Sequence, residues 1–243
     1  MSSSASRATN CRSRARLALV VALSFAALSC ASVQTRHDGP FIIHGMVYDD
    51  NGQPADDVAL SLGDDHSARS DFNGRFYFTD IMVGRYELRA EGKNLEPLLR
   101  EVRVDHPSEV MYLSMISADG LYRLFRIEID AKNWSKADRL IDRAIAIAPE
   151  APLLRYAKAV ALSAPTRPDR DWATAESIVR SLISDGYAEP AIVLLLADIC
   201  QYDKNDAAEA LEHLRYCLKM GYDPKIEERV KALAEALEQN GNP

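Results

Sequence analysis

The sequence predicts a small antiparallel β-sandwich followed by an α-solenoid of about seven helices, both placed behind a cleavable N-terminal signal. Three observations carry this. Residues 41–117 alternate apolar and polar side chains with a period of two. From about residue 118 the spacing becomes helical. Within that second half, segments repeat at intervals of 35 and 38 residues, a size that indicates stacked helix pairs.

The N-terminus comes first. Residues 1–29 contain Arg7, Arg12, Arg14 and Arg16 and no acidic residue, and small and apolar residues run from Leu17 to Leu28. A basic stretch followed by a short apolar one is the layout of a secretory signal. The run is shorter than the roughly 20 residues a bilayer span needs. It ends in Ala26-Ala27-Leu28-Ser29-Cys30, which resembles the lipobox of bacterial lipoproteins, with Ala27 where leucine is commonest. The resemblance implies that residues 1–29 are removed and that Cys30 takes a diacylglycerol thioether anchoring the chain in a membrane. Each buried methylene then contributes about 0.8 kcal/mol. The next residue is Ala31 rather than the aspartate that retains some lipoproteins in the inner membrane, so the resemblance points to the outer membrane. Residues 30–40 are polar after Cys30 and form a short lipidated tether.

The strands come next. Phe41, Ile43 and Val47 alternate with His44, Met46 and Tyr48. Val58, Leu60 and Leu62 form a second run, Phe76 and Phe78 a third, and Tyr86, Leu88 and Ala90 a fourth. Turn residues separate them: Asp50-Asn51-Gly52, Gly63-Asp64-Asp65, Asn73-Gly74 and Glu91-Gly92. Short strands at such regular spacing predict a sandwich.

The order of these residues resembles the carboxypeptidase regulatory-like domain. It runs through Gly45 and Val47, Asp50-Asn51-Gly52 with Pro54 and Val58, and Ser70-Asp71. Gly74-Arg75-Phe76 with Phe78 follows, then Ile81, Gly84 and Tyr86, and lastly Val102 and Val104. The resemblance covers almost all of residues 41–104. It implies a transthyretin-like seven-stranded sandwich that is a non-catalytic appendage; some similar sandwiches bind sugars. Both tryptophans lie in the other half, so the sandwich carries no tryptophan platform.

The helical half, residues 118–243, shows apolar stripes at Leu153, Tyr156, Ala157 and Val160, and at Val193, Leu196, Ala197 and Cys200. Trp134-Ser135-Lys136-Ala137-Asp138 lines up with Trp172-Ala173-Thr174-Ala175-Glu176, and Arg180 to Tyr187 with Arg215 to Tyr222. These segments resemble tetratricopeptide repeats. Ala137, Ile141, Ala144 and Pro149 stand at the spacings of that motif's second helix and closing proline, and Leu121, Leu124 and Phe125 fit its first helix. Phe125 stands where a small residue is usual and Glu128 where an apolar one is, so the first repeat is degenerate. The second has a longer turn, Ala164 to Asp171. The final helix opens at Asp223-Pro224, an N-cap followed by a proline at the first helical position, and its charged face fits a capping helix.

Composition narrows the function. Without residues 1–29, 25 basic and 36 acidic residues remain, a net charge of −11 over 214 residues. Nucleic-acid binding needs a basic surface, so no nucleic-acid partner is expected. The histidines are His37, His44, His66, His106 and His213; none is read as having a partner at metal-ligand spacing, and neither a metal nor a cofactor is expected. No nucleophile elbow, phosphate-binding glycine loop or paired-cysteine zinc motif occurs, so no enzyme is expected. Asp49-Asp50-Asn51 and Asp71-Phe72-Asn73 could supply calcium oxygens, but Asp and Asn beside Gly are what tight turns require. Trp134 and Trp172 are read as helix packing. Cys200 and Cys217 are read as buried thiols. If their helices form a hairpin turning near Asp203 to Asn205, the two lie roughly 13 Å apart along the axis, too far for a disulfide.

The repeat resemblance places Tyr122, Arg126, Leu154, Lys158, Leu194 and Asp198 on the concave face, with Tyr122, Arg126 and Lys158 as the partner-binding residues. The expectation is a lipid-anchored envelope scaffold that holds a protein or peptide on the helical face. A carbohydrate- or peptidoglycan-binding module acting through the sandwich is the alternative.

Overall fold

The computed structural model describes residues 40–106 and 110–240. The signal, Cys30, His37 and the tether up to residue 39 lie outside them. Seven strands come first: β1 Phe41–Tyr48, β2 Ala59–Leu62, β3 His66–Arg69, β4 Arg75–Ile81, β5 Gly84–Glu91, β6 Leu98–Val104 and β7 Val110–Ser114. They form a three-stranded sheet in the order β4-β1-β7 and a four-stranded sheet in the order β3-β2-β5-β6. All pairs are antiparallel except β1 with β7, which run parallel. The alternation read from the sequence is what packs them: Ile43, Val47, Val58, Leu60, Leu62, Phe76, Phe78 and Leu88 face one another in a single core. Gly45 is forced by that core, because a Cβ there would lie 2.2 Å from the Phe76 ring.

The aspartates of the turns act as the turn chemistry predicts. Asp49 Oδ1 accepts from the backbone N–H groups of Asn51 and Gln53, at 2.8 Å each. Asp71 Oδ1 does the same for Asn73 and Arg75. Asp50 has a different task, described below.

Seven α-helices follow: α1 Ala118–Asp130, α2 Trp134–Ile147, α3 Pro152–Ser163, α4 Trp172–Ser184, α5 Pro190–Asp198, α6 Ala207–Met220 and α7 Pro224–Asn240. A π-helical turn, Ile199–Asp203, extends α5. The architecture is the predicted one, a sandwich followed by stacked helix pairs. Pairs α1–α2, α3–α4 and α5–α6 pack in sequence and α7 closes the stack on α6. Small residues at the crossings let the helices approach: Ala137, Ala144, Ala159, Ala175, Ala197 and Ala210 are fully buried. Cys200 and Cys217 are buried free thiols in different clusters, as the axial mismatch requires. No described helix is long and apolar enough to cross a membrane.

The sandwich and the helices belong to one compact unit, Pro40–Pro243. Two carboxylates join them. Asp50 Oδ1 accepts from Ser117 N (2.8 Å) and Ser117 Oγ (2.7 Å), and Asp50 Oδ2 pairs with Arg123. Ser117 is itself the N-cap of α1, accepting from Gly120 N at 3.0 Å. On the other side, Glu96 receives both Nε (2.7 Å) and Nη2 (2.6 Å) of Arg143, a bidentate geometry that fixes direction as well as distance.

Candidate functional site

The first helices of successive pairs line a groove. Its first stretch, with a cavity volume of about 240 Å³, lies between α1 and α3 and is walled by Tyr122, Phe125, Arg126, Ile129, Leu153, Tyr156 and Val160, with Trp134 at one end. A second stretch of about 480 Å³ shares Val160 and Ala164 with it and continues along α5 to Leu195, Ile199, Tyr202 and Asp203. The walls are apolar and open to solvent: Leu153 is 55% exposed and Val160 40%. Tyr122 and Phe125 stack at 5.9 Å. Burial, followed by the nearby Asp198 carboxylate, raises the Tyr156 hydroxyl above its ordinary pKa, so it stays protonated as a donor.

Charges are spaced along these walls. Arg126 and Asp130 make no ion pair among the described residues. Further along, Arg170 donates to Ser163 O and pairs with Asp203 at 2.8 Å. The Arg229 guanidinium lies 5.6 Å from the Tyr202 ring centroid and donates to Asp198 Oδ1 and Gln201 Oε1. Paired cations of this kind hold the aromatic ring in place.

The structure places the sequence candidates unequally. Tyr122 and Arg126 line the groove. Lys158 is turned to α2, where its ammonium pairs with Asp142 at 2.6 Å. Leu154 is buried in the core of the first pair and Leu194 packs toward the last. The cause is that α3 carries two overlapping apolar stripes. Leu154, Ala157 and Ala161 are the buried one, while Leu153 and Val160 of the predicted stripe face the groove. Trp172, expected in packing, is 36% exposed. Trp134 packs under Arg167, whose guanidinium carbon is 5.8 Å from the ring centroid.

Arg167 was not legible from its neighbours. It sits in the long turn between α3 and α4 with only 4% of its side chain exposed, and binds Asp138 through both terminal nitrogens (2.8 and 2.6 Å) and Asp169 through Nε (3.0 Å). The Asp138 hydrogen bonds raise its already high pKa further.

The sandwich presents a second surface. On the outer face of the β4-β1-β7 sheet, Tyr77 and Tyr112 are 61% and 62% exposed, with His44 beside Tyr77 at a ring separation of 6.4 Å. The register sets Tyr77, His44 and Val110 in one cross-strand row and Arg75, Met46 and Tyr112 in the next. These tyrosines, with Phe72 of the turn before β4 (79% exposed), are the large exposed aromatics among the described residues of this half.

Residues 42–112 match the family model of the carboxypeptidase regulatory-like domain. That segment is the sandwich, from the second residue of β1 to the middle of β7. The helical half is similar to the TPR domain of Sgt2 from Aspergillus fumigatus (20% identity, TM-score 0.41, covering 52% of this chain and 84% of that one). It is also similar to the Yersinia enterocolitica type III secretion chaperone SycD, solved with a peptide of the translocator YopD (16% identity, TM-score 0.42, 51% and 94%). Part of the chain is similar to a mutant type II cohesin–X-dockerin complex from Acetivibrio cellulolyticus (18% identity, TM-score 0.27, 32% of this chain), where the match spans 58% of that chain's length. No curated protein matches the chain.

Proposed function

We propose that this protein is a non-catalytic, lipid-anchored scaffold of the cell envelope that holds a protein or peptide partner in the helical groove. The observation that carries the reading is the apolar row lining the cavity between α1 and α3, exposed Leu153 and Val160 with half-buried Tyr122 and Tyr156, beside the open guanidinium of Arg126. A soluble surface has no use for such a row unless something covers it. A groove of stacked helix pairs fits an extended or helical peptide through apolar anchors, with Arg126 taking a carbonyl or carboxylate. Cys30 anchors the chain, in the outer membrane, and the sandwich is the non-catalytic module between anchor and groove.

The test is affinity capture with the intact lipoprotein. The expected result is a partner retained by the native chain and lost when Val160→Glu and Leu153→Glu place carboxylates in the groove. Retention by both variants sinks the reading. The glycan reading rests on the exposed Tyr77 and Tyr112. Retention of the full chain on peptidoglycan, abolished by Tyr77→Ala with Tyr112→Ala, would favour it instead.

A further inference from the structure

Cys200, Glu209 and His213 bring a thiol, a carboxylate and an imidazole together in the third helix pair. Their ligand atoms all lie within 4.8 Å of one another, and His213 Nε2 is 3.7 Å from Glu209 Oε1. Reading the histidines as without a partner overlooked Glu209, which stands four residues before His213 and therefore on the same face of α6. Cys200 comes from the π-helical turn, a helix variant that occurs at functional sites more often than by chance. The decisive feature is His213 Nε2, which is buried and has no hydrogen-bond partner. Buried polar nitrogens are normally satisfied, and this one faces two other electron-pair donors.

We propose that these three residues form a binding site for a divalent cation of the zinc class. Thiolate, imidazole and carboxylate together are ligands of zinc rather than of calcium or magnesium, which take oxygen. Tetrahedral zinc brings ligand atoms to roughly 3.5 Å of one another, so the cluster closes by about 1 Å through side-chain rotation. Binding breaks the Cys200 S–H bond, releases that proton to solvent and forms the S–metal bond. The thiolate and Glu209 then neutralise the ion, and water fills the fourth position. Glu209 now accepts from Lys204 (2.8 Å) and pairs with Arg180. Both cations also reach Glu176 Oε1, at 2.9 and 2.7 Å, so each keeps a carboxylate when Glu209 turns to the ion. Glu209 and His213 are about a quarter exposed, which gives the ion a route in. The same π turn supplies Ile199 and Tyr202 to the groove, so the metal would fix that part of its wall whatever the groove holds.

The experiment is a Co²⁺ titration of the full chain with Cys11 and Cys30 replaced by serine, followed by absorption and by displacement with Zn²⁺. The expected result is one ion per chain with a sulfur-to-cobalt charge-transfer band. Cys200→Ala and His213→Ala should weaken binding by more than about tenfold, since even outer-shell partners cost that much. Cys217→Ala, a buried thiol away from the cluster, should leave it unchanged. His213→Gln, checked for helical content by circular dichroism, separates loss of a ligand from loss of fold and is expected to weaken binding with helicity intact. The absence of saturable binding, a spectrum without the sulfur band, or equal affinity in the folded His213→Gln chain would overturn the site.

Discussion

Gly120 leaves room for the carboxylate of Asp50: a Cβ at position 120 would stand 2.2 Å from Asp50 Oδ2. Gly120→Ala is therefore expected to destabilise, although alanine is about 1 kcal/mol the better helix former. The Asp50 carboxylate must move and its bonds to Ser117 and Arg123 weaken, a loss of about 1–3 kcal/mol. Urea unfolding of Gly120→Ala and of Asp50→Ala checks this. Asp50→Ala should remove most of the penalty of the glycine change in the double variant, and simple additivity of the two would refute the link.

The junction is acid-sensitive. Burial alone would raise the Asp50 pKa, but the hydrogen bonds from Ser117 and the charge of Arg123 hold it below the ordinary 3.8. The Arg143 hydrogen bonds hold Glu96 below 4.5, against its own burial. Both are depressed in the fold, so their contribution is complete above about pH 4.5. It drains away as pH falls below 4 toward and through the folded values. Limited proteolysis between residues 114 and 118 should accelerate in that window. Asp50→Asn with Glu96→Gln should cleave fast at every pH; a native chain as resistant at pH 3 as at pH 7 would contradict the assignment.

Arg167 clamps the long turn to α2. Its replacement by methionine keeps the stem over Trp134 but leaves Asp138 without its guanidinium partner. A loss of about 2–3 kcal/mol is expected, below the figure for a fully buried pair because Asp138 is partly solvated. Thermal unfolding of Arg167→Met against Arg167→Lys measures it. Lysine cannot reproduce the bidentate contact and should recover only part.

The anchor has its own test. Cys30→Ser should abolish fatty-acid labelling and move the protein out of the membrane fraction. Labelling that persists in this variant would remove the lipoprotein reading while leaving the groove untouched.

Much of this was legible beforehand, for identifiable reasons. A period of two with turn residues between the runs admits few folds, and Phe76, Phe78, Leu60 and Leu62 lie where alternation puts them. Helix stripes are more ambiguous. Leu153 and Leu154 are equally apolar and adjacent, and only the packing of α3 decides that Leu154 is core and Leu153 groove. Lys158, on the same helix, pairs with Asp142 of α2 instead of lining the cavity beside Tyr122 and Arg126. Pairings across long separations, Asp50 with Ser117 or Arg167 with Asp138, leave no periodic trace. The turn aspartates looked interchangeable, yet Asp49 serves its own loop and Asp50 the next domain. The cluster at Cys200 was hidden because the π turn sets which way that thiol points.

The parallel pairing of β1 with β7 has a mechanical consequence. The chain enters the sheet at Phe41 and leaves at Ser114, which lies opposite Tyr48 rather than Phe41. An antiparallel last strand would have returned the chain to its starting end. Here entry and exit are seven residues apart along β1, about 23 Å at the rise of a strand. The sandwich is thus a spacer that carries the helical repeats away from the point where the chain enters. Tension between Phe41 and α1 runs along the strands, so the β1–β7 hydrogen bonds share it in shear instead of parting one at a time.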